Sequence, residues 1–199
     1  MGTAPAATPF DRVIVLHGFR ASPQHHWFPW VAKTVAGAEV VALPDSASPD
    51  AEAWVGAAVN AIGALGPQVA VVAHSLGCVT AVRAVERLAA VTAGGSLGAF
   101  VAVSPFAQPL TRTGDEGLDA FAADGLGPFL AGADLPGAGP HLGAVTVIRS
   151  DDDPLVAPHL SDAFARNLQA RTVVVPGARH FLAAHGVTAL PEVVDALTN

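Results

Sequence analysis

The chain has 199 residues, 51% of them hydrophobic and 14% charged, which describes one folded domain and excludes a disordered chain. A net charge of -7, with Lys33 as the single lysine, excludes the basic footprint of a nucleic-acid binder. One cysteine, Cys78, excludes an internal disulfide and a zinc–cysteine cluster. The uncharged stretches 53–82 and 88–111 are interrupted by Gly66-Pro67 and Gly94-Gly95 and read as buried parallel strands, not membrane spans. Residues 1–9 carry neither a basic residue nor an apolar run, so no signal peptide is expected and a cytoplasmic protein is the reading. They form a loose tail in this reading, and 10–199 form the domain.

In chain order, Val13-Ile14-Val15-Leu16 is a β-branched run stopping at His17-Gly18, a strand and a turn. Residues 30–36 have helical spacing, and 40–43 are a second strand ended by Pro44-Asp45. Asp50 is placed to cap a helix reaching Leu65, with Trp54, Ala58, Ala61 and Ile62 on one face. Residues 69–73 are a third strand. The helix at 76–90 offers Val79, Val82, Leu88 and Val91 for packing. A fourth strand at 100–103 ends at Ser104-Pro105. Residues 106–142, rich in Gly, Pro and Asp, read as a partly helical insertion over one edge of the sheet. Strands at 145–148 and 172–175 and helices at 158–168 and 190–197 complete the series. Such alternation predicts parallel strands joined by right-handed crossovers.

The chemistry is expected at the turns. Ala73-His74-Ser75-Leu76-Gly77 joins a buried strand to a helix, the setting of a nucleophile elbow. The chain turns so sharply at Ser75 that the residues two before and two after must be small. The same turn aims the Leu76 N–H at the point the hydroxyl occupies, at a helix N-terminus that favours negative charge. A serine hydroxyl needs a base, and on this elbow the acid and the histidine follow the serine in that order. Ser150-Asp151-Asp152-Asp153-Pro154 follows the fifth strand and Gly177-Ala178-Arg179-His180-Phe181 the sixth. His180 is the candidate base. Asp153 is the candidate acid, with Asp152 as the alternative. The second oxyanion donor is expected from the loop after the first strand, at the Phe19 N–H, where Gly18 allows close approach. His17 and His74 read as structural supports beneath the elbow, Cys78 as an inert core thiol, and Trp27, Trp30 and Trp54 as packing residues. The other histidines show no metal-ligand spacing, so no metal is expected.

The run His17-Gly18-Phe19-Arg20-Ala21-Ser22-Pro23, then Trp27-Phe28-Pro29-Trp30, closely resembles the small serine hydrolases of the YdeN and retinoblastoma-binding-protein type. The elbow, Asp152-Asp153-Pro154 and the segment around His180 match that family too, so the likeness runs over residues 13–182. It implies a compact, three-layer α/β-hydrolase lacking the first two strands of the larger fold. Its mostly parallel six-stranded sheet would have the order 2-1-3-4-5-6, with helices on both faces. The family pattern carries Ser75, Asp153 (the second Asp before the Pro) and His180 over as catalytic residues. The departures are Ala73 in place of the more usual Gly and the Gly/Ala/Pro-rich stretch 125–143. The expected activity is that of a carboxylesterase-like serine hydrolase acting on a small ester or amide, with a small acyl molecule as its partner and no cofactor. Two other readings stand beside it: a hydrolase-fold protein selected for protein–protein interaction, and cofactor-free haloperoxidase or lyase chemistry on the same triad.

Overall fold

The apolar runs become strands of one sheet: β1 (Arg12–Leu16), β2 (Ala38–Val41), β3 (Val69–His74), β4 (Ala99–Val103), β5 (Ala144–Ser150) and β6 (Arg171–Val175). The computed structural model describes residues 5–92 and 94–198. Strand order is β2-β1-β3-β4-β5-β6. Every pairing is parallel, so the sheet is wholly parallel where the sequence implied a mostly parallel one. The helices are α1 (Phe28–Thr34), α2 (Ala51–Ile62), α3 (Leu76–Val91), α4 (Glu116–Asp124), α5 (Gly127–Leu130), α6 (Leu135–Ala138), α7 (Pro158–Leu168) and α8 (Pro191–Thr198).

Strand side chains alternate between two cores because successive residues point to opposite faces. Ile14, Leu16, Val71, Ala73 and Phe100 pack with Trp54, Val82 and Phe164, on the face covered by α2, α3 and α7. Val13, Val15, Val72, Val101 and Val103 pack with Trp27, Phe28, Val31 and Val193, on the face covered by α1 and α8. This is the three-layer arrangement, and the inner strands β3 and β4 are buried on both faces.

Several boundaries differ from the sequence reading. α2 stops at Ile62, not Leu65, because Gly63 takes φ 73°, and Arg12 caps the helix end by donating to the Ala61 and Ile62 carbonyls at 2.6 and 2.9 Å. β2 lies two residues earlier than expected, which frees Leu43 to donate its N–H to His17 (3.1 Å). Val91, expected to pack, is 76% exposed at the end of α3. Within the insertion, α5 and α6 pack on α3, and α6 also on α7. The reason is its apolar content, since Phe106, Leu126, Phe129 and Leu135 join the α2–α3–α7 core and Phe129 meets Trp54 edge-on at 5.6 Å. Of the tail read at 1–9, residues 1–4 lie outside the described residues, and Ala6 bridges Val35. Among the described residues, no helix is long and apolar enough to cross a membrane.

Candidate active site

β3 ends at His74 and α3 begins at Leu76, so Ser75 alone makes the turn, with φ 54° and ψ -122°. An L-residue held in such a sparsely populated region costs of order 1–3 kcal/mol and persists only where its surroundings over-determine it. Here the Ser75 N–H donates to the Val103 carbonyl and the Cys78 N–H to the Ser75 carbonyl, both at 2.9 Å. Gly77 permits the close start of α3 against β1: a Cβ there would lie 2.6 Å from the His17 carbonyl oxygen and 2.8 Å from that of Leu16. Gly18 is nearly as tight, its Cβ position lying 3.1 Å from the Ser75 Cβ. Ala73 sits within the strand and packs its methyl into the α2–α3–α7 core. The turn accommodates this departure from the usual glycine.

The elbow lies at the carboxyl end of the sheet, between β3 and β1, where strand order reverses and ligand crevices form in open α/β sheets. His180 and Asp153 arrive there from the loops after β6 and β5. The Ser75 Oγ is 3.1 Å from His180 Nε2, and His180 Nδ1 is 2.8 Å from Asp153 Oδ2. The other Asp153 oxygen accepts the N–H groups of Leu155 and Val156 at 2.9 and 3.0 Å. Burial works against ionisation of Asp153, but its bond to His180, the charge attraction to that ring and the two backbone N–H groups outweigh it and hold the carboxyl below its ordinary pKa. Asp152 does not reach His180. It accepts from Arg179 N–H (2.8 Å) and Ser150 Oγ (2.6 Å), while Asp151 accepts from Gly177 N–H (2.9 Å). All three carboxylates therefore grip the 177–180 loop, each at a different atom. Sequence reasoning missed Ser104, whose hydroxyl donates to Asp153 Oδ2 at 2.8 Å. Its one signal was its position, directly after a parallel strand at the edge where site residues gather.

His17 Nε2 accepts the Leu43 N–H, so its proton is on Nδ1, which donates to the Gly18 carbonyl at 2.9 Å. His74 lies against His180, ring centroids 4.9 Å apart, and donates its Nε2–H to the His180 carbonyl at 3.1 Å. Burial, then repulsion from His180 and His26, hold the His74 pKa far below its ordinary value. His17 ties the turn after β1 to the chain after β2, and His74, next to Ser75, ties the elbow to His180. Cys78 is buried on α3, where desolvation pushes its thiol pKa far up and keeps it unreactive.

A histidine with a depressed folded pKa lets the unfolded chain bind the proton first, so stability falls as pH drops below about 6.5. For a fully buried ring such as His74 the slope there is about 1.4 kcal/mol per pH unit. We expect the Tm of the wild type to fall between about pH 7 and pH 5. His74→Gln, which keeps a donor toward the His180 carbonyl, is expected to fall less in circular-dichroism melts. Parallel profiles for the two proteins would mean that His74 does not supply the slope.

Ser75 opens into a cleft of about 170 Å³. Phe19, Leu118, Leu155 and Leu182 supply apolar wall, and Arg20 and Asp115, paired at 3.8 Å, stand with them in the lining. Among the described residues, the N–H groups of Phe19 and Leu76 have no protein acceptor; Leu76 directly follows Ser75 in the chain, and Phe19 lines the cleft with it. α4 buries none of its residues but lays Phe121 flat on Phe19, ring centroids 4.8 Å apart. A larger, open hollow of about 500 Å³ beside α4 is lined by Leu110, Arg112 and Asp119, with no Ser, Cys or His in its wall. The chemistry-bearing groups converge on the smaller cleft.

Fold and site together define an α/β-hydrolase with a serine at its elbow. The serine hydrolase family matches residues 13–199, and the chain belongs to that family. It is 32% identical over 192 residues to YdeN of Bacillus subtilis (strain 168), covering 94% of this chain and 95% of that one. The crystal structure of the ydeN gene product superposes with a TM-score of 0.79 at 31% identity, covering 94% of this chain and 96% of that one. More distant solved structures share the fold. Est1E from Butyrivibrio proteoclasticus has a TM-score of 0.63 at 16% identity, over 94% of this chain and 85% of that one. Naproxen esterase from Bacillus subtilis has 0.60 at 13%, over 94% and 81%.

Proposed function

We propose that this protein is an esterase for small acyl substrates, working through Ser75, His180 and Asp153 by way of an acyl-enzyme. The observation that carries the reading is the unbroken line of hydrogen bonds from Ser75 Oγ through both nitrogens of His180 to Asp153. Ser75 Oγ attacks the ester carbonyl carbon while His180 Nε2 takes its proton. The carbonyl oxygen gains negative charge and is held by the Leu76 and Phe19 N–H groups, which have no protein acceptor of their own among the described residues. His180 returns the proton to the departing alcohol oxygen as the carbon–oxygen bond breaks. Water then attacks the acyl-serine by the same relay and the carboxylic acid leaves. Asp153 stays ionised throughout and keeps the His180 proton on Nδ1. Every step uses side chains, two backbone N–H groups and water, so the reading needs no cofactor. The cleft volume, about 170 Å³, is below the roughly 300–1,000 Å³ of sites for drug-sized ligands, which favours short acyl groups.

The test is a fluorophosphonate probe together with p-nitrophenyl acetate and butyrate. We expect labelling and turnover in the wild type and neither in Ser75→Ala. Equal labelling of Ser75→Ala, or none of the wild type, would sink the serine-nucleophile reading. A labelled enzyme that turns over a non-ester substrate but neither ester would replace the activity while keeping the triad.

A further inference from the structure

Of three histidine rings at the cleft, the steps above use only that of His180. His74 is buried and committed to the His180 carbonyl. His26 is half-buried and lines the cleft with Ser75, His180 and Leu182. Its backbone is left-handed, φ 55°, a conformation uncommon in non-glycine residues. Its Nδ1 accepts the Ala183 N–H at 3.0 Å. That bond settles the tautomer: a neutral ring that accepts at Nδ1 carries its proton on Nε2. Burial, then repulsion from His25 and His180, lower the His26 pKa to about 4, so the ring is neutral at neutral pH. Among the described residues no protein group accepts from His26 Nε2, and that atom is not sealed from solvent. The ring thus carries one fixed, uncharged N–H donor, on a residue that lines the cleft.

We propose that His26 is a substrate-binding residue that donates its Nε2–H to an uncharged acceptor oxygen in the leaving-group half of the ester. The side follows from the chemistry. His180 must hand its proton to the departing oxygen, so that half of the substrate lies toward His180. His26 is tied to the same segment, at Ala183, and its ring packs near that of His74, 6.1 Å away, which in turn touches His180. The type of acceptor follows from charge. A neutral donor suits an ether, hydroxyl or carbonyl oxygen, and the cation in the lining, Arg20, is already paired with Asp115. The inference rests on the esterase reading and adds a preference for leaving groups that carry an oxygen.

The test compares 2-methoxyethyl acetate with butyl acetate, leaving groups of equal length that differ by one ether oxygen. Asn places its amide where Nδ1 stands, so His26→Asn keeps an acceptor for Ala183 and removes the donor; Asn also tolerates the left-handed backbone. Gln reaches to the Nε2 position, so His26→Gln keeps the donor and gives up the Ala183 bond. For the methoxyethyl ester, kcat/KM is expected to fall roughly five- to tenfold in His26→Asn, through KM, and to recover in His26→Gln. The butyl ester is expected to change by less than about twofold in His26→Asn. Changes are read relative to the wild type, which cancels the different leaving abilities of the alcohols. A purely structural His26 gives the reverse order, with Gln impaired and Asn normal on both esters, and that result overturns the inference. So does a wild type that labels with fluorophosphonate but does not favour the ether. A wild type that neither labels nor turns over either ester overturns the esterase reading, and this one with it.

Discussion

Asp153→Asn is expected to lower kcat for p-nitrophenyl acetate by about 10³–10⁴, and Asp152→Asn to change it little. The size of the first effect comes from where each Asp153 oxygen is spent. Oδ1 accepts two backbone N–H groups, from Leu155 and Val156, which cannot turn away. An asparagine must therefore keep its carbonyl oxygen there and put its NH₂ where Oδ2 was. That position faces His180 Nδ1 and the Ser104 hydroxyl. The hydroxyl rotates to accept, but the ring must shift its own proton to Nε2. His180 then has no lone pair toward Ser75 and cannot take its proton. Asp152 has no such role, since it ends on Ser150 and the Arg179 N–H. Steady-state kinetics of both variants, with circular dichroism to establish folding, decide the matter. A larger loss at Asp152 would move the acid of the triad by one residue.

Gly77→Ala is expected to lower both stability and reactivity. The added methyl would lie 2.6 Å from the His17 oxygen and 2.8 Å from that of Leu16, and both are backbone atoms of β1 and the turn after it. No side-chain rotation relieves this. The start of α3 must move away from β1, carrying Ser75 and the Leu76 N–H with it. Overpacking of this kind typically costs about 1–3 kcal/mol, and a displacement near 1 Å at the reacting group costs on the order of 10² in rate. Urea unfolding reads the first effect and the rate of fluorophosphonate labelling the second. Wild-type labelling in a stable Gly77→Ala protein would show that the elbow tolerates the shift.

The parts of the site legible in the sequence are those that local geometry writes into it. The elbow needs small residues around Ser75, a strand before it and a helix after it, and all of these are within reach of a short window. The order serine, acid, histidine follows from the order of the strands, and the run from His17 to Trp30 carries the family likeness. Asp153 and Asp152 could not be separated on local grounds. Both end the same strand, and the choice depends on which carboxylate meets a ring in another loop. Ser104 and His26 were missed for the same reason: each acts on a partner far away in the chain, at Asp153 and Ala183. The packing of the insertion was not legible because its weak periodicity hides the few apolar residues, among them Phe106 and Phe129, that join the core.

Sequence by itself determined the layers and the turns of this protein. β-Branched runs of strand length alternating with helical segments demand a parallel sheet covered on both faces, and glycines such as Gly77 mark where backbones must approach closely. Tertiary structure alone decided which groups meet at the elbow: His180 Nε2 on Ser75, Asp153 and Ser104 behind it, and His26, tied to Ala183, in the cleft wall. Hydrogen bonds work over about 3 Å, and whether two side chains come that close depends on how the strands line up, which no stretch of sequence contains.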